Sequence, residues 1–286
     1  MKLSDALRWI QGRLVKRYTD QSSREAYAIL LCLTRFTTMS QIIMELDHVR
    51  LNSDEVKLLQ NWVQRRAEGE PLAYIRGYEY YYGRKFRVNK NVLIPRPETE
   101  LITQRCIQLY KKEISHNRLR GLDIGTGSGV LAVSLKLELP KSNWLATDIS
   151  LDCLNVARKN SNLLHAEMNF IQSYCARGLK GPFDIIVSNP PYIALGDPHV
   201  QKEVDQYEPH LALYAEQQGL ELIYEILDSM LHLLRYKGRG FIEIGYNQRE
   251  KIESKLSTTK DVQISWINDF ANVPRILELK KNAIHY

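Results

Sequence analysis

The chain of 286 residues is poor in the features that would place it in a special class. It has four cysteines, Cys32, Cys106, Cys153 and Cys175, far apart and without a C-x-x-C pair. That spacing argues against a disulfide framework or a metal cluster, so no metal is expected. No run of about 18 apolar residues occurs, which excludes an evident membrane span. The opening Met1-Lys2-Leu3-Ser4-Asp5 carries an early acid and no long apolar core, so it does not read as a secretory signal. The expected location is the cytoplasm. His165, His199 and His210 stand singly and read as structural or surface residues. No internal repeat or low-complexity segment is present. The remaining composition, 44% hydrophobic and 25% charged, is that of a globular protein long enough for one large or two ordinary domains.

The net charge of +6 is unevenly placed. Residues 1–90 hold sixteen Lys/Arg against ten Asp/Glu, whereas the rest balance at 23 of each. A basic N-terminal third beside a neutral remainder is compatible with an acidic partner or with an ordinary solvated surface.

Residues up to about 70 show helical periodicity. Leu3, Leu7, Ile10 and Leu14 fall on one face, as do Ala26, Ile29, Leu30 and Leu33. Ser22 with Glu25 has the spacing of a capping box, and Ser53-Asp54-Glu55 opens a third helix with Val56, Leu59, Trp62 and Val63 as its apolar face. These amphipathic segments predict a small helical bundle. From Tyr78 to Val88, aromatic residues flank a Gly-Arg-Lys turn, which predicts a β-hairpin in preference to a nucleic-acid surface. Beyond Arg118 the predicted strands are Leu119–Ile124, Trp144–Asp148, Asn169–Gln172, Asp184–Ser188, Gly240–Gly245, Val262–Trp266 and Arg275–Leu279. Helices are expected between the first five. Such alternation implies an α/β fold with a mostly parallel sheet, whose ligands sit at the carboxyl ends of the strands. The expected division is a helical domain over 1–76, a bridging hairpin over 77–93 and an α/β domain over 94–286.

Two sites carry chemistry. The first predicted strand runs into Asp123-Ile124-Gly125-Thr126-Gly127-Ser128-Gly129-Val130. Glycines let a backbone turn sharply and approach a ligand, and the N–H groups of the helix that follows favour an anionic group. Asp148 ends the next strand, where a carboxylate can accept from both hydroxyls of a ribose. The third glycine arrives one residue too early for the dinucleotide pattern G-x-G-x-x-G, which counts against NAD.

The second site is Asn189-Pro190-Pro191-Tyr192 after the apolar run 183–188. Neither proline can donate an N–H, so the strand stops, and Asn189 is held extended at its tip. Read alone, this is compatible with plain turn punctuation. Its chemistry is that of a stiff, acceptor-rich cradle for a flat group bearing an NH2.

The G-x-G-x-G loop resembles that of S-adenosylmethionine-dependent class I (Rossmann-like) methyltransferases. Within that class the chain closely resembles the HemK/PrmC protein-(glutamine-N5) methyltransferases of peptide chain release factors. Three further segments carry the resemblance: Pro71–Gly77, the block Val92-Leu93-Ile94-Pro95-Arg96-Pro97-Glu98-Thr99-Glu100, and Glu243–Gln248 after the fifth strand, with Tyr207-Glu208-Pro209 at the matching distance from the turn. It runs from about residue 70 to the end and loosely through the N-terminal helices. The resemblance implies a seven-stranded methyltransferase domain preceded by the helical bundle and hairpin. It implies S-adenosyl-L-methionine as cofactor, bound by Gly125, Thr126, Gly127, Ser128, Gly129, Asp148, Cys175 and Asn189. It also implies catalysis by Asn189, Pro190 and Tyr192. Asn189, Pro190, Pro191 and Tyr192 would bind the substrate, Asn189 Oδ1 and the Pro190 carbonyl accepting from a glutamine amide and Tyr192 packing on it. The implied substrates are class 1 release factors, modified by a monomer without stable nucleic-acid binding. The alternative is an adenine or cytosine amino-methyltransferase, which shares the Asn-Pro-Pro-Tyr turn.

Two departures from the family pattern are visible. An acid followed by an aromatic is usual after the third strand; this chain has Ser173-Tyr174-Cys175, leaving Tyr174 or Cys175 to contact the adenine. A glycine-rich stretch is usual where this chain has Ala215-Glu216-Gln217-Gln218 before Gly219.

Overall fold

The computed structural model describes residues 1–111 and 118–282, which form two compact units, Met1–Gly77 and the rest from Tyr78. Positions 112–117 and 283–286, both within the range expected for the α/β domain, lie outside the described residues.

The first unit contains α1 (Leu3–Tyr18), α2 (Ser22–Leu33), α3 (Met39–Glu45), α4 (Ser53–Glu68) and α5 (Leu72–Arg76). The predicted apolar faces do converge: Leu3, Leu7, Ile10, Leu14, Ala26, Ile29, Leu30, Leu59 and Val63 form one buried cluster, joined by Ile42 of α3. The expected capping box at Ser22 is absent. A 3-10 turn over Thr19–Gln21 runs straight into α2, so Ser22 lies inside the helix and its hydroxyl donates to the Thr19 carbonyl. Glu25 instead pairs with the buried Arg66 at 2.8 Å. Capping boxes form elsewhere, at Thr38 with Gln41 and at Asn52 with Glu55. This unit holds twelve Lys/Arg against nine Asp/Glu, so half of the N-terminal charge excess belongs to the hairpin beyond it.

The second unit opens with the hairpin β1 (Tyr78–Tyr81) and β2 (Arg84–Arg87). Tyr81 and Phe86, from one face of it, belong to the unit's core. There follow a 3-10 turn (Pro97–Thr99), α6 (Glu100–Tyr110), β3 (Arg120–Ile124), α7 (Val130–Glu138), β4 (Asn143–Asp148), α8 (Leu151–Leu163), β5 (Asn169–Gln172) and β6 (Phe183–Ser188). The chain continues through β7 (Ile193–Ala194), α9 (Lys202–Tyr207), the single turn α10 (His210–Leu213), β8 (Tyr214–Ala215), the turn α11 (Glu216–Gly219) and α12 (Glu221–Leu233). It ends with β9 (Leu234–Glu243), α13 (Arg249–Leu256), β10 (Val262–Asn268) and β11 (Pro274–Lys281).

Seven strands form one sheet in the order β10-β11-β9-β6-β3-β4-β5, and all the pairs from β9 to β5 are parallel. Only β11 runs antiparallel, against both β9 and β10. The parallel strands β3 and β6 are buried along almost their whole length because both faces are covered, one by a cluster that includes α6 and α7, the other by one that includes α12 and α13. One expected helix is missing. Residues 173–182 join β5 to β6 by turns alone, so the helices between the first five strands number one fewer connection than the alternation suggested. From β3 the chain moves outward through β4 to β5, then returns to the other side of β3 as β6. The carboxyl ends of β3, β4 and β6 therefore flank the reversal in strand order, where a crevice opens. Among the described residues no helix is long and apolar enough to cross a membrane.

Candidate active site

A cavity of about 320 Å³ lies at these carboxyl ends. Gly125, Thr126, Gly127 and Ser128 from the β3–α7 loop line it, with Asp148 from β4, Tyr174 and Cys175 after β5, and Asn189, Pro190 and Pro191 after β6. Gly129 and Tyr192 stand behind this lining. Gly129 is the residue before α7, with φ of +85°, and a Cβ there would meet the Ala157 methyl at 3.1 Å.

The glycine loop is built around two carboxylates. Asp123, fully buried, accepts from the Thr126 hydroxyl at 2.7 Å and the Ala132 amide at 3.3 Å through one oxygen; the other has no partner. Burial pushes its carboxyl up to about 7, against the pull of those two hydrogen bonds. Asp148 accepts from the Gly127 amide at 2.9 Å through Oδ2 and from the Ser150 amide at 2.9 Å through Oδ1. Its acidity is also weakened by burial. Gly125 and Gly127 have φ of +71° and +54°, and a Cβ at either would meet nothing within 4 Å. Their value is thus conformational and leaves open space above the loop for a ligand. The Gly127 amide is already held by Asp148, so that carboxylate shapes the loop as well as facing the cavity.

Cys175 sits at φ +50°, and its carbonyl accepts from Thr147 Oγ1 at 3.0 Å. Burial pushes its thiol up to about 11 and that of Cys153, beside Asp148, up to about 12. Tyr174 stacks with the Arg177 guanidinium, 4.4 Å from its ring centre. Both Tyr174 and Cys175 line the cavity.

At the Asn-Pro-Pro-Tyr turn, Asn189 Nδ2 donates to Thr99 Oγ1 at 2.9 Å, whereas Asn189 Oδ1 is buried without a partner. Thr99 Oγ1 donates to Glu243 Oε2 at 2.6 Å, and the Tyr192 hydroxyl donates to Glu243 Oε1 at 3.1 Å. Glu243, 1% exposed at the end of β9, has its carboxyl pushed up to about 7 by burial. The Tyr192 phenol is pushed up too, by burial first and then by Glu243. Its ring packs against the core cluster on the α12 side of the sheet. The turn is braced from behind by Gln248, whose Nε2 donates to the Tyr192 carbonyl at 2.9 Å and the Gln218 carbonyl at 3.2 Å.

Thr99, Glu243 and Gln248 were not singled out among the sequence candidates, although all three lie in segments noted there. The available signal was an acid closing an apolar strand, Gly240-Phe241-Ile242-Glu243, since a charge there needs buried partners. Among the described residues no group of His, Cys, Asp or Glu is arranged to hold a metal.

Comparison with known proteins agrees with this architecture. Residues 5–77 match the PrmC N-terminal domain family and residues 105–206 the methyltransferase small domain family. A release factor glutamine methyltransferase of Lactococcus lactis is 39% identical over 208 residues, covering 72% of this chain and 75% of that protein. A bifunctional methyltransferase of Rickettsia typhi is 38% identical over 227 residues, and the chain spans less than half of it, 43% of its length against 71% of its own. The crystal structure of a methyltransferase from Pyrococcus furiosus superposes with a TM-score of 0.52 at 16% identity, covering 79% of this chain and all of that one, and so shares the fold. The chain belongs to the HemK/PrmC family, that of the release factor glutamine methyltransferases.

Proposed function

We propose that the chain transfers a methyl group from S-adenosyl-L-methionine to the side-chain amide nitrogen of the glutamine in the Gly-Gly-Gln loop of class 1 release factors, supporting translation termination. The observation that carries the reading is the buried, unpartnered Asn189 Oδ1 beside the cavity. A buried acceptor without a donor is costly and calls for a ligand that supplies one. The residues present also fit the cofactor. Cofactor sites run from about 300 Å³ upward, Asp148 offers a carboxylate for the ribose diol, and the loop leaves room where a side chain would fill it. When bound, the cofactor supplies an electrophilic methyl group.

An amide nitrogen is a weak nucleophile because its lone pair is shared with the carbonyl. Asn189 Oδ1 and the Pro190 carbonyl accept its two hydrogens and fix its direction, which supplies much of the rate through orientation. As the methyl carbon leaves sulfur and bonds to nitrogen, positive charge develops on the nitrogen until one of its two hydrogens is lost as a proton to solvent. Both bonds therefore strengthen in the transition state and lower the barrier. Each is worth about 1.5–3 kcal/mol in that state. Tyr192 and Pro191 keep the turn stiff. In this reading Gly125–Gly129, Asp148, Cys175 and Asn189 hold the cofactor. Residues 1–76 dock the release factor and 94–286 form the transferase domain of a cytoplasmic monomer, the hairpin within 77–93 being packed into the latter's core.

Labelled cofactor incubated with this protein and a release factor tests the proposal. Transfer that is lost with a Gln→Ala release factor is expected, and N189A should lower kcat/KM by about 10–10²-fold while Gly125–Gly129, Asp148 and Cys175 keep cofactor binding measurable. No transfer, or transfer undiminished with the altered release factor, refutes it; transfer to DNA or RNA instead points to the base-amine alternative.

A further inference from the structure

Three polar side chains behind Asn189 form a chain whose hydrogens run in one direction while Glu243 is ionised. Glu243 is a carboxylate flanked by two hydroxyls, Thr99 Oγ1 at 2.6 Å and the Tyr192 hydroxyl at 3.1 Å. An ionised carboxylate accepts and cannot donate, and each hydroxyl has a single hydrogen. Both hydroxyls therefore spend that hydrogen on Glu243. Thr99 then has only lone pairs to offer Asn189, which lies 2.9 Å away. The NH2 end of the Asn189 amide must face Thr99, and the carbonyl end is turned away and left unpaired. Thr99 itself is held from the other side, because the Tyr81 hydroxyl donates to its carbonyl at 3.0 Å. Thr99 and Glu243 are 2% and 1% exposed, so water does not compete for these positions.

We propose that Glu243 is a positioning residue which, through Thr99, fixes the Asn189 amide with its oxygen toward the methyl acceptor and so makes the site select a group that donates hydrogens. The inference rests on the function proposed above and adds a basis for specificity. A glutamine NH2 matches the unpaired acceptor, whereas a glutamate carboxylate in its place would set acceptor against acceptor and be refused.

Thr99→Val removes the hydroxyl with little change in shape, and Thr99→Ser retains it. Glu243→Gln places one N–H2 between two hydroxyls that both need an acceptor. If that N–H2 faces Thr99, the Asn189 amide turns over; if it faces Tyr192, the phenol hydrogen is stranded. T99V and E243Q should each lower kcat/KM for the release factor at least about tenfold, while T99S stays near the parent. In an N189A background T99V should cost nothing further, because it acts through Asn189; E243Q is left out of this comparison because it can also strand the Tyr192 hydrogen. Additive losses there would overturn the inference, as would T99V retaining full kcat/KM. A second reading is independent of catalysis. In 15N-labelled protein the Asn189 side-chain amide, assigned from the signals missing in N189A, should lose its hydrogen-bond shift in T99V and keep it in T99S. An unchanged Asn189 signal in T99V would overturn the inference even if the release factor proved not to be the substrate. Failure of the parent protein to methylate the release factor would instead refute the proposed function and leave the decision to this signal.

Discussion

Glu208 grips Arg96 across 112 positions of sequence, with Arg96 Nη2 at 2.5 Å from Oε1 and the Ile94 amide at 3.0 Å from Oε2. The Glu208 side chain is 1% exposed and that of Arg96 31%. One carboxylate therefore joins two stretches that wall the cavity, Leu93 and Pro95 on one side and Pro209, Leu211 and Ala212 on the other. The block Ile94–Glu98 acts here as a wall fastened at its middle, beyond being a linker.

Glu208→Ala should loosen both walls. It leaves the Ile94 amide buried and unpaired, at a cost of about 1–3 kcal/mol once the partial exposure of Arg96 is discounted. The denaturant midpoint should fall accordingly and cofactor affinity should weaken. Glu208→Gln, which keeps an acceptor, should lose less. Unaltered cofactor affinity in E208A would show that the walls are held some other way.

Activity should depend on pH through Glu243. Burial raises its carboxyl to about 7; hydrogen bonds from Thr99 and Tyr192 and the nearby Arg275 oppose that shift, and Glu98 adds to it. Only the ionised form is acceptor-only, so kcat/KM should fall as pH drops below about 7, and E243Q should lack this limb. Asp123 also titrates near 7, but it shapes the glycine loop, so its protonation should appear in cofactor affinity. Stability should move the opposite way. Both carboxyls have folded values above their ordinary 4.5 and 3.8, so the native state holds these protons more tightly. That contribution is complete below the ordinary values and is lost as pH rises to about 7. Thermal unfolding between pH 5 and 8 read beside the rate profile checks both signs.

Gln217 and Gln218 occupy the left-handed region, at φ 51°, ψ 43° and φ 60°, ψ 36°. Side chains other than glycine are strained there by about 1–2 kcal/mol each. These are the positions where a glycine-rich stretch would be usual. Substituting Gln217→Gly and Gln218→Gly should stabilise the protein by about 0.5–1 kcal/mol each, the gain being reduced by the extra freedom of glycine when unfolded. Equilibrium denaturation measures it. A loss of stability would mean that the exposed contact between Lys251 Nζ and Gln218 Oε1 outweighs the strain.

What could be read from sequence was what neighbours along the chain determine. The glycine loop, Asp148 and the Asn-Pro-Pro-Tyr turn each close a strand, and a parallel sheet brings strand ends together without further instruction. The apolar faces of the N-terminal helices were legible for the same local reason. Glu243, Thr99 and Glu208 were not, because their meaning lies in partners 51 to 144 positions away. Ser22 misled because its spacing to Glu25 suits a cap, while the preceding turn already supplies helical geometry and Arg66 claims the glutamate. The missing helix before β6 reflects a short connection, 173–182, whose turns no periodicity marks.

The bracing of the turn by Gln248 has a consequence for engineering. Gln248, 2% exposed, ties the Tyr192 carbonyl to the Gln218 carbonyl and takes the Gly245 amide at 2.8 Å on its own oxygen. Gly219 sits so close that a Cβ would lie 2.0 Å from the Tyr192 carbonyl oxygen. The four residues of the turn are thus only the visible tip of a keystone cut from three separate lengths of chain. Grafted alone onto the strand end of another sheet, Asn-Pro-Pro-Tyr would bring its prolines but not its aim; a transplant would have to carry the counterparts of Gln218–Gly219 and Gly245–Gln248 with it.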